Sequence, residues 1–307
     1  YDVIIVGAGV AGLNCALHLP HDKQILLICK GNAEKSDSYL AQGGICCMQG
    51  EDDFESYFAD TMRAGHSKNN PAAVECMVKS SPQIIDELLA LGVEFATKPD
   101  GTLDATREGG HSKNRICFHK DCTGKEITSC LMRHVSALQN VEIRTDTTML
   151  DIISDNNECF GIVAADNASG KIYKAFADYT VFACGGIGGI FSHSTNFRLL
   201  TGDGVAIALK RGVAVDNISY IQIHPTTLYT AREGERCFLI SESVRGEGAV
   251  LRDKNFNRFC DELQPRDVVT AEILKQMKKD GTRHVWLDMR PIDPEEVKTH
   301  FPCIVEQ

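Results

Sequence analysis

The sequence predicts an α/β fold, α+β overall, in which a Rossmann-like first domain is followed by a smaller α+β domain. Three observations predict it. Residues 2–19 (DVIIVGAGVAGLNCALHL) set an apolar run, closely spaced glycines and helix-compatible sequence in succession. QILLIC, residues 24–29, follows as a second apolar run of strand length. Beyond residue 140, strand-like segments are divided by NN and NASG turns. At 307 residues the chain is long enough for two domains and a core that needs neither disulfides nor a metal.

Taken in order, Val3–Val6 is the first strand, and Gly7, Ala8, Gly9 and Gly12 make the turn into a helix. Strand, glycine-rich turn and helix form a dinucleotide-binding unit, with the pyrophosphate expected on the helix N-terminus. A nicotinamide unit usually ends its second strand with Asp or Glu for the ribose hydroxyls; here Lys30 follows Cys29, which argues against NAD. Ser36–Cys47 (SDSYLAQGGICC) leads through small and amide side chains to Gly43-Gly44 and can lie flat along a cofactor. Residues 71–92 read as a helix with Pro71 near its start and Gly92 near its end, and Pro82 inside it predicts a kink or two short helices. A further helix is expected over 126–138, and strands over 141–153, 159–166 and 171–186. After TGDGVAIALKRGV (201–213) the character changes to loops rich in His, Arg and Glu. We place a boundary near residue 217, giving domains 1–217 and 218–307.

Apolar residues at 43% and charged residues at 24% are ordinary for a globular protein. A formal charge of −10 argues against nucleic acid or an anionic membrane surface as partner, so any anion site must be a local basic pocket. Thirteen cysteines are scattered and never spaced as CxxC, and Cys46 and Cys47 are adjacent, too strained for a routine bridge. The expectation is a reducing cytoplasm with mostly buried thiols and no bound metal. No apolar run reaches the ~18 residues of a membrane span.

Thr106–Arg115 (TREGGHSKNR) is a glycine pair with Glu108 on one side, His111 on the other, and cations at Arg107, Lys113 and Arg115. On the residues alone, Glu108 reads most simply as a loop ion pair with Arg107 or Arg115. His224 before a proline reads as a loop or core residue, and Glu242 with Arg245, one helical turn apart, as a surface pair.

Nine stretches, GAGVAG, SYLAQGGI, REGGHSKNR, HKDCTGKEI, VFACGGIGG, TGDGVAIA, QIHPTTLY, SESVRGEGAVLRD and PRDVV, run in one order across almost the whole chain. In these the chain resembles the flavoproteins that include L-aspartate oxidase and the flavoprotein subunits of succinate dehydrogenase and fumarate reductase. The resemblance implies FAD, its ADP half over the first glycine turn and its isoalloxazine under the AQGG segment. It carries FAD contacts to Gly7, Ala8, Gly9, Gly12, Lys30, Asp37, Ser38, Gln42, Gly43, Gly44 and Asp203, with Thr148 and Met149 walling the adenine side. The membrane-bound relatives attach FAD through a histidine four residues before the Ala of AQGG. Here that residue is Asp37, which implies a non-covalent flavin.

The resemblance also gives Glu108 a task. Succinate and aspartate share two carboxylates and differ by an α-ammonium, and the aspartate oxidases have glutamate at this position, so Glu108 is expected to receive that ammonium. His224 and Ser241 are expected on a substrate carboxylate. Glu242 and Arg245 are expected to lead to Arg266 as a proton path, with Arg266 either carrying a proton or anchoring the substrate. The implied reaction is oxidation of L-aspartate to iminoaspartate, the feed for quinolinate synthase and NAD biosynthesis, with flavin reoxidised by oxygen or fumarate. The family continues past residue 307, so the chain is expected to be a fragment or a trimmed form. A fumarate reductase or succinate dehydrogenase relative and an inactive flavin-binding fragment are the alternatives.

Overall fold

The computed structural model describes residues 1–230 and 235–307. In chain order it opens with β1 (Val3–Val6), α1 (Val10–His18), β2 (Ile25–Ile28), the short α2 (Asp37–Leu40), β3 (Ile45–Cys46), α3 (Phe54–Ala64) and α4 (Pro71–Ala90). β4 (Ala105–Thr106) and β5 (Ile116–Cys117) flank a loop, and α5 (Thr123–Ala137) follows. Next come β6 (Val141–Arg144), β7 (Thr147–Asp155), β8 (Glu158–Asp166), β9 (Ile172–Phe176) and β10 (Tyr179–Phe182). The remainder holds α6 (Asp203–Lys210), α7 (Glu242–Gly246), β11 (Val250–Arg252), α8 (Arg266–Asp280), β12 (Trp286–Asp288), α9 (Pro294–His300) and α10 (Pro302–Val305). Among the described residues no helix is long and apolar enough to cross a membrane.

The chain divides into two compact units. The first is Tyr1–Ala41, Gly124–Tyr220 and Arg232–Cys237, and the second is Gln42–Thr123, Ile221–Ala231 and Phe238–Gln307. The division expected from sequence kept 42–123 with the first domain. By contacts that stretch groups with the later residues, because its loop bonds to them: the Gly110 N–H donates to the Leu263 carbonyl (3.1 Å), and the Ser243 hydroxyl to Glu108 (2.8 Å).

The first unit is built on a parallel sheet in the order β10-β1-β2-β6. Every residue of β1 and β2 is buried, as expected of parallel strands covered on both faces. Alternate side chains point to opposite faces, and Ile4, Val6, Leu26 and Ile28 meet Met149, Ile152, Ile162 and Ala164 of the antiparallel sheet β7-β8-β9. Two expected strands prove to be two each. Residues 141–153 break where Asp146 takes a left-handed turn (φ 49°), leaving β6 in the parallel sheet and β7 in the antiparallel one. Residues 171–186 break likewise, so that β9 closes the antiparallel sheet and β10 pairs with β1. The hydrophobic pattern is the same on either side of each break and does not mark the change of sheet.

In the second unit, α3 and α4 enclose Tyr57, Val74 and Val78, and β3-β5-β4 form a small antiparallel sheet. β11 pairs with β12, and Leu251 packs with Val269 and Ile273 of α8. α4 starts on Asn70, whose side chain accepts from the Ala72 and Ala73 N–H groups, with Pro71 at its first turn. It then runs as one helix through Pro82, so of the expected kink or two short helices the two short helices do not occur. Pro82 lacks the N–H that would reach the Val78 carbonyl, and the Ser81 hydroxyl donates to that carbonyl instead (2.7 Å). An interior proline costs ~3 kcal/mol, part of which this bond offsets. The helix expected over 126–138 spans Thr123–Ala137. None of the thirteen cysteines is in a disulfide; five are buried, Cys76 is exposed and the others are partly buried, so the thiols are less deeply placed than expected.

Candidate active site

In the first unit the glycine turn borders a cavity of about 640 Å³. Gly7 has φ 119°, and a Cβ there would lie 2.1 Å from the Ala183 carbonyl oxygen, so only glycine lets β1 turn this tightly against the strand beside it. Gly12 does not line the cavity. A Cβ on it would lie 1.9 Å from the Gly7 oxygen, which makes it the residue that lets α1 pack on the turn. α1 begins after Gly9 with no side-chain cap, and the Val10 N–H donates to the Ser38 hydroxyl (3.1 Å). Open N–H groups at a helix start, next to a glycine turn, suit a pyrophosphate.

Gly7, Ala8, Gly9, Lys30, Asp37, Ser38, Thr148, Met149 and Asp203 all line this cavity. Lys30 Nζ bridges the Leu199 carbonyl (3.0 Å), the Thr201 hydroxyl (2.7 Å) and Asp203 (2.6 Å). Burial opposes ionisation of Asp203, but Lys30 and Thr201 hold its carboxyl below the usual range. Asp37 accepts from the Phe197 N–H (3.1 Å); burial raises its pKa against that bond and the charge of Arg236. Sequence reasoning missed Asn32 and Thr201 in the lining. Asn32 lies two residues beyond Lys30, and a search confined to carboxylates passes over it. Donors, glycine turn and volume together fit a dinucleotide.

Gln42, Gly43 and Gly44 belong to the second unit. A Cβ on Gly43 would lie 2.6 Å from Glu108 Oε1, and one on Gly44 would lie 2.3 Å from the Cys117 carbonyl oxygen, so both glycines make room for the second unit's own atoms. The Gln42 side-chain oxygen is buried and makes no hydrogen bond among the described residues.

The TREGGHSKNR loop joins β4 to β5 and is fixed from below by Arg115, whose side chain is wholly buried. Arg115 donates to Asp53 (2.9 Å), Asp60 (2.7 Å) and the Ser56 hydroxyl (3.0 Å), and lies over the Tyr57 ring. Asp60 also accepts from the Ser112 N–H and hydroxyl, each 2.7 Å. Burial works against the charge on Asp60, yet Ser112, Arg115 and Arg63 bring its pKa down to about 2. Arg115 therefore serves the loop's framework and does not pair with Glu108.

Glu108 is partly buried against α7. Its Oε1 accepts from the Ser243 hydroxyl (2.8 Å). Burial, then the neighbouring Glu242, raise its pKa, while Ser243, Arg266 and the Gly44 N–H oppose the rise. Gly109 gives way to Glu242, whose Oε1 would lie 2.3 Å from a Cβ there. Glu242 and Arg245 are not a surface pair: both are buried, 3.3 Å apart on one turn of α7. That contact is ionic but misaligned, since Glu242 Oε1 and Arg245 Nε and Nη2 make no hydrogen bond among the described residues. Arg245 Nη1 donates to the Glu262 carbonyl (2.6 Å), and burial lowers its pKa. Arg266, at the first turn of α8, donates to Glu242 Oε2 (2.5 Å) and to Gln222 (2.6 Å).

His224 Nδ1 lies 2.9 Å from the Thr226 carbonyl oxygen and 3.3 Å from its N–H. Burial, then Arg266 and Arg245, lower its pKa to about 3, so the ring is neutral at neutral pH. Ser241 caps α7, accepting from the Ser243 N–H (3.2 Å). The second unit thus brings Glu108, Ser241, Glu242, Arg245 and Arg266 into one linked group, with His224 in the field of its arginines. Gln222 and Ser243 were missed. Gln222 stands two residues before His224, a spacing that could have flagged it, whereas nothing local singles out Ser243.

A family model described as an FAD binding domain matches residues 2–307. The chain is 42% identical over 303 residues to an L-aspartate oxidase of Clostridium perfringens, covering 99% of this chain and 68% of that protein. It is 43% identical over 306 residues to an L-aspartate oxidase of Clostridium acetobutylicum, covering 100% of this chain and 70% of that one. Among solved structures, the E. coli quinol fumarate reductase chain FrdA is similar with a TM-score of 0.92 at 29% identity, over 99% of this chain and 56% of that chain. Mycobacterium smegmatis Sdh1 is similar with a TM-score of 0.79 at 30% identity, over 100% of this chain and 55% of that chain. The chain belongs to the family of FAD-dependent oxidoreductases that includes L-aspartate oxidase and the flavoproteins of fumarate reductase and succinate dehydrogenase.

Proposed function

We propose that this chain carries the FAD-dependent oxidation of L-aspartate to iminoaspartate, and that Glu108 selects the substrate by receiving its α-ammonium. One observation carries the reading: Glu108 is a partly buried carboxylate left out of the Arg115 network and held by the Ser243 hydroxyl within the field of Arg266. A charge-assisted hydrogen bond of ~1.5–3 kcal/mol to an ammonium is a tenfold preference or more over a ligand without one. Succinate would offer that carboxylate no ammonium in return for its lost water.

Gly7, Ala8, Gly9, Lys30, Ser38 and Asp203 would hold the ADP part of FAD, with Thr148 and Met149 at the adenine, and Gln42, Gly43 and Gly44 would lie along the ring. Asp37 offers no ring nitrogen for covalent attachment, which supports non-covalent binding. Bound FAD would supply the two-electron acceptor, taking hydride at N5. Arg266 would hold a substrate carboxylate, with the hydroxyl of Ser241 and the imidazole of His224 completing the grip. With Nδ1–H donating to the Thr226 carbonyl (2.9 Å), a grip on a carboxylate needs a second proton on Nε2, which the negative charge of the bound substrate would favour. Arg266, hydrogen-bonded to Glu242, and Arg245, ion-paired with Glu242 at 3.3 Å, would form a proton path once the Glu242–Arg245 contact aligns, since arginine, with a pKa above ~12, moves a proton only as part of such a relay. Oxygen or fumarate would reoxidise the flavin, the product would pass to quinolinate synthase, and residues 218–307 would act as part of a capping domain.

The likeness to fumarate reductase favours a second reading, a dicarboxylate enzyme indifferent to the amine. An anaerobic titration separates the two: the FAD-loaded protein is mixed with L-aspartate or succinate while the visible flavin band is followed. Bleaching by aspartate, lost in Glu108→Leu, is the expected result. Bleaching by succinate that Glu108→Leu leaves unchanged would replace this reading with the second.

A further inference from the structure

We propose that Ser243 is a positioning residue for substrate choice, its hydroxyl holding the Glu108 carboxylate ionised and aimed to receive an ammonium. The inference rests on the reading of Glu108 above and extends it to a residue that reaches the substrate only through Glu108.

Ser243 is buried in α7. A serine hydroxyl has one proton to give, and here its direction is fixed. The Ser241 hydroxyl donates to Ser243 Oγ (3.1 Å), so Oγ is already an acceptor, and its own proton goes to Glu108 Oε1 at 2.8 Å. With no substrate bound the chain runs Ser241 to Ser243 to Glu108; a substrate carboxylate would draw the Ser241 proton to itself, and Ser243 would still give its own to Glu108. Gly43 closes the far side, with room for Glu108 only because it has no Cβ.

Glu108 needs this donor because of its neighbours. Glu242 and Arg245 face it from α7, Arg266 from α8, Cys46 from β3, and the Gly44 N–H from the segment before β3. Burial and the Glu242 charge favour the protonated acid; Ser243, Arg266 and Gly44 favour the carboxylate. A protonated Glu108 cannot form an ion pair with an ammonium. Without the Ser243 hydroxyl, less of the carboxylate is ionised at neutral pH, and raising the pH restores it. Succinate carries no ammonium and should not register the change.

The test uses the natural full-length protein loaded with FAD. The L-aspartate concentration giving half-maximal anaerobic flavin bleaching, and succinate affinity from perturbation of the flavin spectrum, are measured from about pH 6 to about pH 9. Ser243→Ala is expected to weaken aspartate about tenfold near pH 7, with the loss shrinking as pH rises, and to leave succinate within about twofold. Ser243→Thr, which keeps the hydroxyl, should restore most of the affinity. A loss shared equally by both ligands, or one that does not vary with pH, would make Ser243 a packing residue and end the proposal. Glu108→Gln separates the two layers. If it weakens aspartate while Ser243→Ala does not, this inference falls alone; if it leaves aspartate unaffected, the reading of Glu108 falls and takes this one with it. Should the alanine variant fail to load FAD, Ser243→Cys, a weaker donor of similar size, is titrated in its place with the same expectation.

Discussion

Replacing Arg115 with methionine probes the framework beneath the Glu108 loop. The Arg115, Asp53 and Asp60 side chains are 0%, 1% and 2% exposed, so all three charges are withdrawn from water. Arg115→Met leaves two buried carboxylates facing an apolar side chain, and breaking a buried pair from one side costs ~3–5 kcal/mol. The single tryptophan, Trp286, lies in the same unit, so its fluorescence in a urea titration reports the unit being perturbed. Most of the loss comes from the stranded charges. Adding Asp53→Asn and Asp60→Asn to Arg115→Met should therefore recover at least ~1 kcal/mol, although it removes still more hydrogen-bonding groups.

The dependence on pH has a definite sign. In the wild type both carboxyls are held below the ordinary range, Asp60 at about 2, so their contribution is complete above the unfolded value of ~4 and is lost as pH falls from there towards 2. In Arg115→Met, Asp60 keeps Arg63 and Ser112, and Asp53 keeps Ser56 and the more distant Lys113, so both carboxyls rise from the wild-type range but stay partly countered. The folded variant therefore has less to lose on protonation, and its stability falls less steeply than the wild type's as pH drops from ~4 towards 2. The gap between the two should narrow over that range. A total loss under ~1 kcal/mol, or a gap that does not change with pH, would refute the view of Arg115 as the clamp on two ionised carboxylates.

Three further outcomes follow from single contacts. Gly43→Ala puts a methyl group 2.6 Å from Glu108 Oε1, so it should abolish the preference for aspartate over succinate while FAD still loads; retained preference in the bleaching assay would show that Glu108 need not sit there. Ser81→Ala removes the donor to the Val78 carbonyl beside Pro82 and should cost ~1–2 kcal/mol in the same urea titration, with α4 the first segment to gain hydrogen exchange. His224 has a folded pKa of about 3 against ~6.5 unfolded, so its contribution is complete above ~6.5 and is lost as pH falls towards 3; between pH 6.5 and 5 this amounts to roughly 1–2 kcal/mol, and His224→Gln should flatten that limb of the substrate-free stability profile.

What could be read from the sequence was what is local. VIIV, the glycine turn and ILLI each encode an element within a few residues, and the fully buried β1 and β2 follow from runs with no polar position. The change of sheet at Asp146 was not legible, because an alternating strand looks the same whether it pairs in parallel with β2 or antiparallel with β8. That Pro82 does not split the helix was hidden for a related reason. Its cost is local, but the compensation depends on the Ser81 rotamer, which also accepts from the Met48 N–H (2.9 Å).

The same distinction explains the site. Glu108 stood out as a carboxylate among cations, and its candidate partners were adjacent arginines. The resolution lay about fifty residues away, in Asp53 and Asp60, which take Arg115 out of the competition. Once Arg115 is committed, the four glycines around the carboxylates acquire one meaning: Gly43 leaves room for Glu108, Gly109 for Glu242, Gly246 for the Arg107 carbonyl, and Gly110 supplies a positive φ that no β-branched residue would tolerate. Two like charges, Glu108 and Glu242, are thus pressed together by backbone that has no side chain to keep them apart, with Arg245 and Arg266 as their cations. Such a group is stable only while its protons are arranged correctly. The smallest side chain in it, Ser243, therefore has an influence on Glu108 that its size and its place in the sequence would not suggest.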